Sequence, residues 1–192
     1  MHVTDEQIAA FAWQEFCKYG LSKTTMADVA NSAGISRQSL YNRFKNKDEL
    51  LRLVARLYFK KNLSLCDNEL KTKNNLKDVL DTLVQYFIIE VWTTVRLLPI
   101  GDELEQSTHS IISKEVADAT DEKITLIKDT FFNYLNKNIR KKEMAYDLAK
   151  YFCASANGIK SLANDELELH SLCKTLKLTL ESIILDKNQI LD

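Results

Sequence analysis

The sequence of 192 residues predicts an all-α fold, and its composition supports that prediction in two ways. Glycine and proline are scarce, with 4 Gly and 1 Pro, whereas β-sandwiches and barrels need such residues at most of their hairpins. Leucine outnumbers valine 27 to 8, which favours helices over strands. Because 45% of the residues are hydrophobic, the chain can also bury a substantial core. We therefore expect about nine helices, as judged from the helical spacing of the apolar residues.

Capping signals define the first two helices. Thr4 and Gln7 have the spacing of a capping box, and the helix behind them is expected to end at Gly20 in a left-handed conformation. Thr25 and Asp28 are candidate cap partners for a second, short helix that runs to about residue 33.

The next two helices begin at similar signals. Gly34 ends the second helix, and Ser36 caps a third short helix that runs to about Phe44. The segment 46–49 then opens a fourth helix, which runs to about Leu70 and is followed by the polar segment 71–75. Further helices are predicted at about 76–97, from about 102, and at about 121–138, 142–162 and 165–185, with Pro99 and Gly101 interrupting the chain after the first of these.

Charge is distributed unevenly along the chain, although the net charge is only −1. Residues 1–61 contain 10 Lys and Arg against 6 Asp and Glu, a net charge of +4, and residues 62–192 contain 16 against 21, a net charge of −5. A basic first third suggests a polyanionic partner for that part of the chain. An ordinary solvated surface would carry the same charge, so charge alone does not decide between the two.

Residues 25–44, TMADVANSAGISRQSLYNRF, have the layout of a helix-turn-helix. The pattern places Val29, Ala33 and Leu40 inward, with the small Ala30 at the helix crossing and Gly34 in the turn. The second of the two helices then projects polar side chains from its N-terminal end, which is the part of such a motif that enters the major groove of DNA. Arginine, glutamine and serine are suited to base edges, and tyrosine, asparagine and lysine to phosphates.

A longer series of residues runs through this region in the order Thr24-Thr25, Val29-Ala30, Ala33-Gly34-Ile35-Ser36, Leu40-Tyr41, Phe44, Lys47 and Leu50-Leu51. This series resembles the DNA-binding domain of TetR-family transcriptional regulators. The resemblance is specific across about residues 4–58, and beyond them it consists only of the number and length of the helices. The sequence departs from the family pattern at Gln38, where glycine is common, and at Asn42-Arg43, where an aromatic or histidine pair is common. These departures leave the preferred base sequence unpredicted. The resemblance implies that the DNA contacts come from Thr24, Thr25, Ser36, Arg37, Gln38, Ser39, Tyr41, Asn42 and Lys47.

The sequence contains no motif for catalysis or metal binding. Its histidines, His2, His109 and His170, lie far apart, and there is no G-x-S-x-G, P-loop or G-x-G-x-x-G segment. The cysteines at 17, 66, 153 and 173 form no Cys-x-x-Cys pair and are expected to be reduced, mostly buried thiols. No apolar run approaches the roughly 18 residues of a membrane span, and the polar start is unlike a signal peptide. We expect a cytoplasmic protein that is not an enzyme and uses no cofactor.

Two further sites are predicted in the C-terminal part. TetR-family regulators hold a small ligand among these helices, which implies that some of the aromatic residues there line a pocket; the alternative is that they form plain core. The candidates are Tyr86, Trp92, Phe131, Tyr151 and Phe152. Few charged residues lie nearby, so a small, largely apolar ligand is expected. An apolar stripe and small side chains on the last two helices predict a homodimer interface, unless both face the chain's own core. Its candidates are Ala154, Gly158, Leu172, Leu176 and Leu180.

These features predict a two-domain, one-component regulator of transcription. Residues 1–48 form the DNA-binding domain, residues 49–192 the ligand-binding and dimerisation domain, and the fourth helix, at about 47–70, links them. Its expected partners are double-stranded DNA with a palindromic operator, a second copy of the chain and the ligand, and repression is the usual outcome in the family that it resembles. The alternative is a helical protein-interaction module in which the helix-turn-helix serves only packing.

Overall fold

In a computed structural model, residues 3–97, 108–135 and 139–189 are described, and within them the chain forms helices and no strand, which confirms the all-α prediction. The helices are α1 (Asp5–Tyr19), α2 (Met26–Ser32), α3 (Arg37–Arg43), α4 (Lys47–Leu70), α5 (Leu76–Val84), α6 (Glu90–Leu97), α7 (Thr108–Ile111), α8 (Ser113–Tyr134), α9 (Ile139–Leu162) and α10 (Glu166–Gln189). A π-helical turn, Gln85–Ile89, joins α5 to α6. None of the described helices is long and apolar enough to cross a lipid bilayer.

The predicted caps are present at the starts of the first helices. The Thr4 side chain accepts a hydrogen bond from the amide of Gln7, and the Gln7 side chain accepts one from the amide of Thr4. Thr25 and Asp28 form the same reciprocal arrangement at α2. Ser36 caps α3 by accepting from the amide of Ser39 at 3.0 Å. These short-range hydrogen bonds satisfy amides that have no partner inside the helix.

Two turns between these helices depend on glycine. Gly34, between α2 and α3, has φ 66°, a left-handed conformation that a residue with a Cβ adopts only at a cost. Gly20, after α1, has φ 85° and ψ 159°. Its φ is positive as predicted, but its ψ is extended rather than left-handed helical.

The helical boundaries after residue 75 differ from the prediction in two respects. The helical run 76–97 is interrupted by the π-helical turn, where the carbonyl of Tyr86 accepts a hydrogen bond from the side chain of Asn62 at 3.4 Å. The start of α8 is at Ser113 rather than near residue 121, since the polar stretch before residue 121 is anchored by the packing of Val116. The helix predicted from about Asp102, together with Pro99 and Gly101, lies outside the described residues.

The chain divides into two compact units, each with its own core. Unit 1 comprises Met1–Lys61 and Thr93–Ala119, and unit 2 comprises Asn62–Trp92 and Thr120–Asp192. The core of unit 1 includes Phe16, Val29 and Leu40, so the helix-turn-helix is packed into it. The core of unit 2 is formed mainly by apolar residues of α5, the π-helical turn and α8 to α10.

Candidate nucleic-acid interface

The helix-turn-helix is held by a buried inner face. Val29 and Leu40 are 1% and 0% exposed, and Ala30, also fully buried, lies where α2 and α3 approach each other. The turn is closed by backbone hydrogen bonds, from the Ile35 amide to the Ala30 carbonyl at 3.0 Å and from the Gly34 amide to the Asn31 carbonyl at 3.1 Å. Because one face of α3 is fixed in the core of unit 1, its opposite face is fixed in orientation as well.

The outer face of α3 carries the polar side chains that the sequence analysis selected. Arg37, Gln38 and Asn42 are exposed, Tyr41 is 49% exposed, and Ser39 is half-buried. The side-chain amide of Gln38 donates to the side-chain oxygen Oδ1 of Asn42 at 3.0 Å, which aligns the two side chains along the helix. An amide has two donors and an acceptor, so Gln38 keeps the capacity for a bidentate contact with adenine.

The start of α2 lies close enough to α3 for their charges to interact. Hydrogen bonds from the hydroxyl and the amide of Thr25 lower the pKa of Asp28, and the guanidinium of Arg37 lowers it further. Asp28 is therefore an anion that partly offsets the charge of Arg37. The Thr25 hydroxyl donates to Asp28 at 2.7 Å while it remains at the exposed surface.

The side chains of Thr24 and Lys47 both donate hydrogen bonds to backbone carbonyls in or next to the loop between α1 and α2. The hydroxyl of Thr24 is buried and donates to the carbonyls of Gly20 at 2.7 Å and Glu15 at 3.2 Å. The ammonium of Lys47 donates to the carbonyls of Leu21 at 2.7 Å and Thr24 at 3.1 Å. Thr24 thus holds the loop between α1 and α2 to the end of α1, and Lys47 holds the same loop to the start of α4. An ammonium has three N–H donors, so Lys47 retains one for a phosphate.

Arg43, at the end of α3, has a positioning role that the sequence analysis did not identify. Its guanidinium donates to the carbonyl of Val3 at 2.6 Å and forms an ion pair with Asp5 at 3.2 Å. This contact joins the end of α3 to the start of the chain. The partners are about 40 residues apart in sequence, so no local pattern indicates the pairing.

The residues predicted for a ligand pocket lie in unit 2 in different environments. Phe131 and Phe152 are buried in its core, as is Trp92, whose indole N–H donates to the carbonyl of Ala163 at 3.3 Å. Tyr86 is half-buried in the π-helical turn, where a hydrogen bond to Glu69 raises the pKa of its phenol. Tyr151 is exposed on α9.

The residues predicted for a dimer interface also divide into two groups. Leu176 and Leu180 are buried in the core of unit 2, and Leu172 packs against that core. Ala154 is exposed, and a Cβ added to Gly158 would meet no atom within 4 Å. In the described parts of the chain, no three His, Cys, Asp or Glu side chains are grouped so as to hold a metal ion.

The helix-turn-helix matches known proteins in sequence. Residues 8–54 match the family model described as "Bacterial regulatory proteins, tetR family". Over 51 residues the chain is 43% identical to the HTH-type transcriptional regulator TtgR of Pseudomonas putida, a match that covers 27% of this chain and 24% of TtgR. It is 36% identical over 47 residues to the probable acrEF/envCD operon repressor of Escherichia coli, covering 24% of this chain and 21% of that protein. The match thus spans less than a quarter of the length of these relatives.

The likeness in fold extends over nearly the whole chain. A transcriptional regulator from Cytophaga hutchinsonii ATCC 33406 superposes with a TM-score of 0.70 at 19% sequence identity, covering 95% of this chain and 96% of that one. A TetR transcription regulator from Haloarcula marismortui ATCC 43049 superposes with a TM-score of 0.70 at 14% identity, covering 93% and 96%. In sequence, the similarity to the tetR family of bacterial regulatory proteins is carried by residues 8–54, and the similarity in fold to these regulators extends over nearly the whole chain.

Proposed function

We propose that this protein is a sequence-specific DNA-binding regulator of transcription, acting on double-stranded DNA in the cytoplasm. The observation that carries the proposal is the geometry of α3, whose inner face is fixed in the core of unit 1 while Arg37, Gln38 and Tyr41 project outward. A helix held in this way inserts its N-terminal residues into the major groove. The relatives and the two structural neighbours described above are regulators of transcription, so the proposed activity is binding and not catalysis.

Base reading and phosphate binding are assigned to different residues of this face. Arg37, Gln38 and Ser39 are proposed to read base edges, because they lie in the first turn of α3. Tyr41 and Asn42, farther along α3, are proposed to hold phosphates, together with Lys47 through its remaining N–H donor. The caps Thr25 and Ser36 lie at helix starts, where free amides favour an anion, and Thr24 contributes by positioning Thr25.

A selection of bound sites from random duplexes, followed by affinity measurements at several salt concentrations, tests this assignment. Arg37→Ala is expected to cost about 1–3 kcal/mol and to relax the preference at one base position, and Lys47→Met to weaken all sequences alike. Arg56→Ala is the control, since Arg56 is exposed on α4 about 14 Å along the helix axis from Lys47. A wild-type protein with no salt-dependent affinity for duplexes would refute the proposal. The helical protein-interaction module would then be the remaining alternative.

The regulator is further proposed to act as a homodimer on a palindromic operator. Since Leu176 and Leu180 are buried in their own chain, the contact is assigned to outward residues of the same two helices, Ala154 and Gly158 on α9 and Leu178 on α10, which is 56% exposed. The open space at Gly158 allows the backbone of a second copy to approach. Leu178→Glu is expected to give monomers in sedimentation at micromolar concentration, whereas Leu65→Glu, at an exposed leucine of α4, is not. A Leu178→Glu protein that remains dimeric would exclude this interface.

Repression relieved by a small, largely apolar ligand completes the proposal. The relative from Escherichia coli is named as a probable operon repressor. Unit 2 supplies aromatic side chains for a ligand, and α4 begins in unit 1 and ends in unit 2. A ligand changes the affinity for DNA only if it binds the DNA-competent and the released states unequally. Compounds that bind unit 2 are therefore expected to lower operator affinity, and binding without such an effect would exclude this mode of regulation.

A further inference from the structure

The exposed face of α3 carries a hydrogen bond between two side chains. The amide nitrogen Nε2 of Gln38 donates to the side-chain oxygen Oδ1 of Asn42 at 3.0 Å. The two residues are four positions apart, so their side chains are neighbours on the same face of the helix. Because both residues are exposed, the hydrogen bond lies on the surface that is proposed to enter the major groove.

The backbone that carries this pair is fixed at both ends of α3. Ser36 caps the start of the helix by accepting from the amide of Ser39 at 3.0 Å. At the other end, the Phe44 amide donates to the carbonyl of Leu40 at 2.9 Å, and Leu40 is fully buried in the core of unit 1. The freedom that remains to Gln38 is therefore that of its side chain, which the hydrogen bond restricts.

The hydrogen bond decides which atoms of Gln38 are left to contact a base. A glutamine amide has two N–H donors and one acceptor oxygen. One donor is used by Asn42, so Gln38 presents one N–H and its oxygen Oε1 to the groove. In the major groove, adenine offers an acceptor, N7, beside a donor, the N6 amino group, whereas guanine offers two acceptors, N7 and O6. Gln38 held in this way matches both groups of adenine, but against guanine its Oε1 would face an acceptor.

Asn42 has donors that this hydrogen bond does not use. Its Oδ1 accepts from Gln38, and an asparagine amide also carries two N–H donors on Nδ2. Phosphate oxygens accept such donors. Asn42 can thus hold a phosphate and orient Gln38 at the same time. Since Gln38 is oriented before DNA arrives, its side chain loses less conformational freedom on binding.

We propose that Asn42 is a positioning residue for base recognition, which orients the Gln38 amide toward adenine while its own amide nitrogen holds the DNA backbone. This inference rests on the proposed DNA-binding function and deepens it by naming the base that is read and the residue that enforces the choice.

The test begins with a selection of bound sites from random duplexes by the wild-type and Gln38→Ala proteins. The base position at which Gln38→Ala loses its preference is the one that Gln38 reads, and the wild type is expected to prefer adenine there. Dissociation constants are then measured for the selected duplex and for the same duplex with this A·T pair replaced by G·C. The wild type is expected to discriminate between the two by about tenfold or more, and Asn42→Ala by less than about threefold.

Asn42→Asp separates the two roles of the side chain. Aspartate keeps an acceptor for Gln38, but it lacks the N–H donors and adds a negative charge. This variant is expected to keep the discrimination within about twofold of the wild type and to weaken both duplexes about tenfold or more at low salt. A merely structural role would not separate base preference from affinity in this way. Asn68→Ala, at an exposed asparagine of α4 in unit 2, is the control that should change neither.

An Asn42→Ala protein that discriminates as the wild type does would overturn the inference, as would an Asn42→Asp protein that loses discrimination as completely as Asn42→Ala. Each ratio is measured on one preparation, so a fraction of unfolded protein affects both constants alike and cancels. Wild-type protein that selects a base other than adenine at the Gln38 position refutes this inference alone. Wild-type protein with no salt-dependent affinity for duplexes refutes the proposed function as well.

Discussion

Replacing Lys160 by methionine should make the protein more stable at neutral pH, although the substitution removes a charged side chain. Methionine has a similar length, and it removes from unit 2 a half-buried ammonium that has no carboxylate partner in the described structure and whose pKa is lowered by burial. The effect should disappear in alkali, where Lys160 loses its proton in the folded protein. This dependence on pH distinguishes an electrostatic cause from a simple improvement in packing.

The magnitude follows from the difference in the pKa of Lys160 between the two states. Folding lowers it from 10.5 to about 8, so the unfolded chain binds more protons than the folded chain between these pH values. The free energy of unfolding of the wild-type protein therefore rises with pH through this window. Below pH 8 the protein carries the full destabilisation that the charged Lys160 side chain causes. The difference corresponds to at most about 3 kcal/mol, and partial exposure of the side chain reduces the expectation to about 1–3 kcal/mol.

Urea unfolding of wild-type, Lys160→Met and Lys150→Met proteins at pH 7, 8, 9 and 10 measures this effect. Lys160→Met should exceed the wild type by about 1–3 kcal/mol at pH 7 and by less than about 1 kcal/mol at pH 10. Lys150→Met, on the exposed side of the same helix, should show no such trend. A difference for Lys160→Met that stays constant with pH, or a variant less stable than the wild type at pH 7, would refute the reasoning.

Three further predictions concern backbone and thiol chemistry. Gly34→Ala should cost about 1–2 kcal/mol through its left-handed φ alone, since a Cβ there meets no atom within 4 Å, and Gly34→Asn should cost less in the same urea assay. Thr25→Ala should lose about 1 kcal/mol by removing the cap of α2, whereas Thr25→Ser should retain it; equal losses would exclude capping. Iodoacetamide at pH 8 should modify Cys66 at least about a hundredfold more slowly in the folded than in the unfolded protein, as peptide mass spectrometry can show.

The N-terminal helices could be predicted from sequence because their signals are local. The caps at Thr4, Thr25 and Ser36 act on amides three residues away, and Gly34 acts on its own φ. Each signal therefore lies within a few residues of the structure that it specifies. The same locality makes the helix-turn-helix recognisable, since the spacing of its inward residues alone determines which side chains of α3 project outward.

Features that depend on distant partners could not be predicted in this way. Lys47 was assigned from sequence to phosphate binding, and its contacts with the carbonyls of Leu21 and Thr24 come from the fold. Leu176 and Leu180 continue an apolar stripe that sequence cannot divide between a chain's own core and a partner.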